Sequence, residues 1–372
     1  MILNHCAHAR IVDAGIWRSF ADALPDVFVD PDAQSVGIAA NALGRASCRH
    51  AGALEALGSW ALAMASTGEL DGRNMAMLVN GFSKVRENNA PLMEALETGL
   101  IDRIGELNEI DIATVANGYA RLSLEAHRLF DALRTPMLDA VGRWNSRHIA
   151  MVVNACARVR RRDEELLGRA AEELLRHCGS GPVSEDVLPS IVHAYVTRLS
   201  LGPPALVRTV EFSLPRVVAR LHKNDVVLTV PALVHLPELC APPEFCGPVF
   251  DHCASILGQL TCNAVVGILG AAAHLRHGCA RFWASALGHC SGRVAGGEWE
   301  PRYVAALALL VCGLRGAPCC PVGDDDVERL LQSIAQDLGA GSAAGGRALR
   351  YGPGPVADLA RALPLAGGLA PA

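Results

Sequence analysis

The 372-residue sequence is poor in aromatic residues, at 5%, and poor in charge, at 19%. With 51% hydrophobic residues, a chain of this length cannot remain solvated and disordered, so it must bury a large core. It has no positive excess: 33 Lys and Arg stand against 38 Asp and Glu, with 20 against 25 in residues 1–202 and 13 of each in the rest. That excludes a polybasic tail and a uniformly basic nucleic-acid domain. None of its 13 cysteines forms a Cys-x-x-Cys pair, and Cys240, Cys246, Cys253 and Cys262 are irregularly spaced. Such spacing speaks against a zinc ribbon or a disulfide framework and for buried free thiols in a reducing compartment. The adjacent Cys319 and Cys320, in a loop-like stretch, are read the same way. The most apolar runs, Asn263–Leu275 and Tyr303–Leu314, fall short of the roughly 18–20 residues that cross a bilayer, so no membrane insertion is expected. Residues 1–11 have neither a secretory pattern nor, with Arg10 alone, a transit peptide.

Catalytic signatures are missing as well. His5 and His8, and His274 and His277, are His-x-x-His pairs without the glutamate of a zinc protease, and no Ser, His and Asp arrangement stands out. The glycines between 339 and 346 follow no strand and precede no Gly-Lys-Ser/Thr. The chain is therefore expected to be non-enzymatic, without cofactor or metal.

The apolar excess lies in Ala, Leu, Val and Gly, which suits close helix packing. A repeat accounts for it. Segments 39–45, 78–84, 115–121 and 152–158 align without a gap on Asn41, Asn80, Asn117 and Asn154. The same frame places Asn4 before them and His193, Pro231, Gly270 and Leu309 after them, at steps of 37 to 39 residues.

Other columns support the frame. Nine residues before the anchor stand Asp32, Asp71, Asn108, Asn145, Ser184, His222, Thr261 and Glu300, six of the eight being strong N-cap types. The positions one before and four after that cap are apolar in nearly every unit, as a hydrophobic staple requires. Each anchor thus sits in a helix B of about fourteen residues. Small residues follow it (Gly44, Gly81, Gly118, Ala155) and admit a close neighbour. Between successive B helices, runs such as Leu92, Leu96, Leu100 and Ile104, or Leu166, Ala170 and Leu174, predict a helix A.

The expected fold is all-α, an α-solenoid of about nine stacked helical hairpins over residues 1–338. Asp324, Asp325 and Asp326 are expected to cap a last helix, Val327 to Leu338, with Gln332, Gln336 and Asp337 on its outer face and Gly339 as its stop. Residues 339–372 read as a Gly/Ala/Pro-rich flexible tail.

One column suggests function. Four residues after the anchor come His8, Arg45, Lys84, Arg121, Arg158, Thr197, His235, His274 and Gly313. Seven residues before it, on the same helix face, come Arg73 and Arg147 among other polar residues. Stacking would align these into a basic stripe that an acidic protein can still present at a Debye length of about 10 Å. On one reading Arg45, Arg73, Lys84, Arg121, Arg147 and Arg158 contact phosphates, helped by His235 and His274, while Asn41, Asn80, Asn117 and Asn154 meet base edges or 2′-hydroxyls. On the other, the Asn column is a structural ladder between repeats, and the basic residues neutralise helix C-termini. The dense Arg158, Arg160, Arg161, Arg162 run is followed by Asp163, Glu164 and Glu165, which can neutralise it.

The segments Met77 to Val85, Thr114 to Leu122 and Met151 to Val159 resemble heptatricopeptide repeats, in which an Asn, a small residue, an aromatic and a basic residue follow in this order. The unit from Pro242 to Leu275 is similar to an octotricopeptide repeat, and the array resembles the helical-repeat subunit of the mitochondrial RNA-editing substrate-binding complex. The resemblance covers about residues 1 to 315 and is sharpest from Asn41 to Arg158. It implies binding of single-stranded or fragmented organellar RNA within a ribonucleoprotein complex, acting in RNA processing, editing, stability or ribosome assembly. It also implies a mitochondrial location, with a cytoplasmic one as the alternative. The tail is not a RAP domain, so no nuclease activity is implied. A protein-binding scaffold of the TPR or HEAT kind, with no direct RNA contact, is the competing expectation.

Overall fold

The computed structural model describes residues 2–124, 126–239, 241–314 and 323–343. Cys240, Cys319, Cys320 and the Gly/Ala/Pro-rich residues from 344 onward lie outside the described residues. The fold is all-α, a helical-repeat architecture with no strand among the described residues. The chain divides into two compact units, Met1–Gly179 and Ser180–Ala372.

The first unit holds α1 (Ile2–His8), α2 (Ala14–Val27), α3 (Ala33–Arg45), α4 (Ala51–Thr67), α5 (Gly72–Lys84), α6 (Ala90–Asp102), α7 (Glu109–Arg121), α8 (His127–Ala140), α9 (Ser146–Arg158) and α10 (Glu164–His177). The B helices α1, α3, α5, α7 and α9 pack successively in one layer, and α2, α4, α6, α8 and α10 in the other. Local chemistry sets each B helix. Asp32, Asp71, Asn108 and Asn145 all sit at the N-cap with a side-chain oxygen accepting a first-turn N–H. The staple residues are buried: Leu70, Leu107 and Trp144 before the cap, and Met75, Ile112 and Ile149 four residues after it. Of the expected A-helix stripe, Leu92, Leu96 and Leu100 are buried, whereas Ile104 falls in a separate 3₁₀ turn, Ile104–Glu106, and is only half-buried.

The small residues bring B backbones together. A Cβ on Gly81 would lie 2.4 Å from the Ala40 carbonyl, and one on Gly44 would lie 2.7 Å from the Gly81 Cα. These helices therefore touch backbone to backbone, which is what the Ala and Gly excess provides.

Each B helix ends in the same unusual way. Arg10, Ser47, Arg86, Ser123 and Arg160, six residues after their anchors, are left-handed at φ 53° to 57°. The next amide reaches back five residues, as in Cys48 to Leu43 at 2.9 Å and Glu87 to Phe82 at 3.0 Å. This is a Schellman close made without glycine, although a non-glycine residue there costs roughly 1–2 kcal/mol.

The second unit holds α11 (Leu188–Val192), α12 (Pro204–Val217), α13 (Lys223–Thr229), α14 (Pro243–Ile256), α15 (Cys262–His274), α16 (Ala280–Ala295), α17 (Pro301–Leu314) and α18 (Asp324–Ala343). Its first two B helices are irregular. Ser184 does not cap a regular helix; its hydroxyl bonds Asp186, and α11 begins only at Leu188. The segment His193–Arg198 is a π-helix, and Pro231–His235 is 3₁₀. Pro231 has no N–H to continue the α ladder of α13, so the helix tightens there. The π turn carries one residue too many, which moves the left-handed position to Ser200, seven after its anchor, with Leu201 reaching Tyr195 at 2.9 Å. Regularity returns with α15, capped by the Thr261 hydroxyl and closed by left-handed Arg276.

The last helix differs from expectation. It begins at Asp324, so the three aspartates form its first turn, and it runs through Gly339 to Ala343. Gln332 and Gln336 are exposed, but Asp337 is buried.

Candidate nucleic-acid interface

The C-terminal turns of α1, α3, α5, α7 and α9 place the basic column in one layer of the first unit. Arg45 is exposed and donates to His8 Nε2 at 3.3 Å, one repeat away. Lys84 is half-buried; its burial first, and then the charges of Arg45 and Arg121, push its ammonium below the ordinary lysine value. Burial and the neighbouring Arg86 do the same to Arg121. These cations are close enough to repel one another, and among the described residues none of Arg45, Lys84, Arg86 and Arg121 is paired with a carboxylate. Glu87, the nearest acid in sequence to Arg86, is taken by Arg49 at 3.4 Å. Uncompensated, mutually repelling cations are what an external anion relieves.

Two anchors of the Asn column bridge successive repeats. Asn80 Nδ2 donates to Asn41 Oδ1 at 2.8 Å, a side-chain bridge between α3 and α5. Asn154 Nδ2 donates to the Ala150 carbonyl of its own helix at 2.8 Å. Asn117 is half-buried between them in sequence order. All four anchors are half-buried, so each keeps a face toward solvent.

The other expected residues are more scattered. Arg73 and Arg147 are exposed on the first turns of α5 and α9, roughly 16 Å along the helix from the basic column at 1.5 Å per residue. Arg73 lies near Asp111 of α7, whose carboxyl burial raises above its ordinary value, against the lowering by the Asn108 amide and that positive charge. Arg158 is exposed at the end of α9, beside Arg160 and Arg161 in a pocket of about 440 Å³. Part of that arginine run is neutralised: Arg161 pairs with Asp131 at 2.6 Å and Arg162 with Glu164 at 3.3 Å. Asp163 and Glu165 instead hold Arg134. In the second unit, His235 and His274 come together on a groove of about 690 Å³ that Arg276 also lines.

The sequence reading passed over Arg86 and took Arg160 only as part of the arginine run; both are exposed at the left-handed closing position. The signal was present two residues past the basic column, where Arg10, Arg86, Arg160 and Arg276 recur. Among the described residues, no group of three or more His, Cys, Asp and Glu side chains is placed to hold a metal, and no helix is long and apolar enough to cross a membrane. Among the described residues no cysteine is in a disulfide, and burial raises the Cys156, Cys253 and Cys290 thiols to about 12, which leaves them unreactive.

No curated protein matches the sequence. The family model for the RNA-editing substrate-binding complex 6 protein matches residues 28–291, which span both units and every regular B helix from α3 to α15. With its repeat, its helical layers and most of its length inside that match, the chain belongs to the RNA-editing substrate-binding complex 6 protein family.

Proposed function

We propose that this protein is a non-enzymatic RNA-holding subunit of a mitochondrial RNA-editing ribonucleoprotein, gripping single-stranded RNA along the B layer of its first unit. The observation that carries this reading is the row Arg45, Lys84 and Arg121, stacked at neighbouring helix ends without a carboxylate partner among the described residues. Helix neighbours lie about 8–10 Å apart, so successive cations can follow the phosphates of an extended strand. Arg86 adds to the same patch. Asn41 and Asn80 bind each other through one donor and one acceptor, and Asn41 Nδ2 and Asn80 Oδ1 stay available to a base edge or 2′-hydroxyl. The family description, which names an RNA-editing substrate-binding complex, supports the partner.

A protein-binding scaffold also has an observation in its favour. An apolar groove of about 690 Å³, lined by Leu3, Phe20, Leu24, Val27, Phe28 and Ile38, opens beside α1, and Val27 is 72% exposed. Photocrosslinking with 4-thiouridine RNA separates the two. Crosslinks to peptides ending α3, α5 and α7 support the RNA reading, and a chain that crosslinks nowhere on this layer contradicts it.

A further inference from the structure

The irregular B helices of the second unit line a groove. It has a volume of about 510 Å³ and lies between the π-helix His193–Arg198 and the α13 to 3₁₀ junction at Pro231. A π turn is wider than an α turn and a 3₁₀ turn is narrower, so the two helices no longer match along their contact. Its lining comes from the columns that carry the Asn and the basic residue in the first unit: His193 and Pro231 at the anchor, Thr197 and His235 four residues on.

The chemistry of the lining is that of a base site rather than a phosphate site. Val227, Leu228 and Pro231 give an apolar wall, and Leu228 is 42% exposed to solvent. Among the described residues, no carboxylate, lysine or arginine lines the groove. His193 accepts from Arg198 Nε through its Nε2 at 3.4 Å, which leaves the ring proton on Nδ1 as a donor. Burial, and then the Arg198 charge, lower the His193 pKa and keep that ring neutral. Thr197 is exposed and offers a hydroxyl that donates or accepts.

We propose that this groove binds one unstacked nucleobase of a single strand, its face on Leu228 and Pro231 and its polar edge toward His193 and Thr197. Single-strand recognition generally proceeds in this way, with splayed bases packed on side chains and hydrogen-bonded at their edges. A pocket of a few hundred Å³ with apolar walls and a few polar groups suits a ligand of that size. The inference rests on the RNA reading above, but it concerns bases where that reading concerns phosphates.

The test compares a uridine octamer with the same ribose-phosphate backbone lacking bases. The wild type is expected to bind the octamer about tenfold more tightly than the abasic strand. Leu228→Ser, and separately the shape-preserving His193→Phe, bring that ratio toward one while leaving abasic affinity unchanged and the melting curve intact. Arg45→Glu/Lys84→Glu/Arg121→Glu lowers affinity for both strands and keeps the ratio. Equal affinity of the wild type for the two strands, or a ratio untouched by both groove variants, overturns the base site alone. Failure of the wild type to bind either strand overturns the RNA reading and the base site together.

Discussion

Asn80 gives an amide hydrogen to the side-chain oxygen of Asn41 across 2.8 Å, joining α5 to α3 at the same position of successive repeats. The bridge sits one turn before Lys84 and Arg45, so it fixes the register in which those two cations are presented. A half-buried neutral hydrogen bond of this kind contributes about 1 kcal/mol. Asn41→Ala and Asn80→Ala should each cost about that much, and the double variant little more than either. Urea denaturation of the four proteins measures the coupling; full additivity would show that the bridge contributes nothing.

The backbone contact between α3 and α5 predicts a contrast among glycines. Gly81→Ala forces a methyl against the Ala40 carbonyl and should destabilise the first unit by about 1–3 kcal/mol or more. Gly168, inside α10 with nothing within 4 Å of its Cβ position, should instead tolerate alanine and gain up to about 1 kcal/mol. Thermal melts of the two variants should move in opposite directions.

Asp163 caps α10 by accepting from the Leu166 amide at 3.1 Å, and it holds Arg134 at 2.6 Å. Burial alone would raise its carboxyl, but those two partners, with the charge of Arg161, outweigh it and hold the group below its ordinary value of 3.8. A lowered carboxyl contributes stability above that value and loses it as the pH falls through the folded-state pKa. Asp163→Ala should therefore cost about 1–2 kcal/mol at pH 7, and the gap should close well below pH 4. Paired denaturation curves at the two pH values check it; a gap of constant size would exclude an ionised carboxylate as its source.

Much of this fold is legible in the sequence, because caps, staples and small contact residues are local demands that recur at each repeat. Asp71 announces α5, and Gly81 announces the close neighbour. The helix ends were hidden because Ser47, Arg86 and Ser123 occupy a left-handed position that ordinarily calls for glycine or asparagine. The π-helix at His193 was hidden as well: one surplus residue leaves the 37 to 39 residue spacing unchanged in kind. At the site, the basic column was visible as a pattern. That Arg45, Lys84 and Arg121 lack carboxylate partners among the described residues depends on which acids, such as Glu87, are engaged elsewhere, and only three dimensions determine that.

The salt dependence of single-stranded RNA binding tests the central claim most directly. For the wild type, affinity should fall linearly on a log–log plot against salt, as counterion release demands. Arg45→Glu/Lys84→Glu/Arg121→Glu should bind more weakly at low salt, with a slope shallower by about 2, roughly 0.7 for each of the three lost phosphate contacts. A wild type that fails to bind at low salt, or a triple variant with unchanged affinity and slope, would contradict the account.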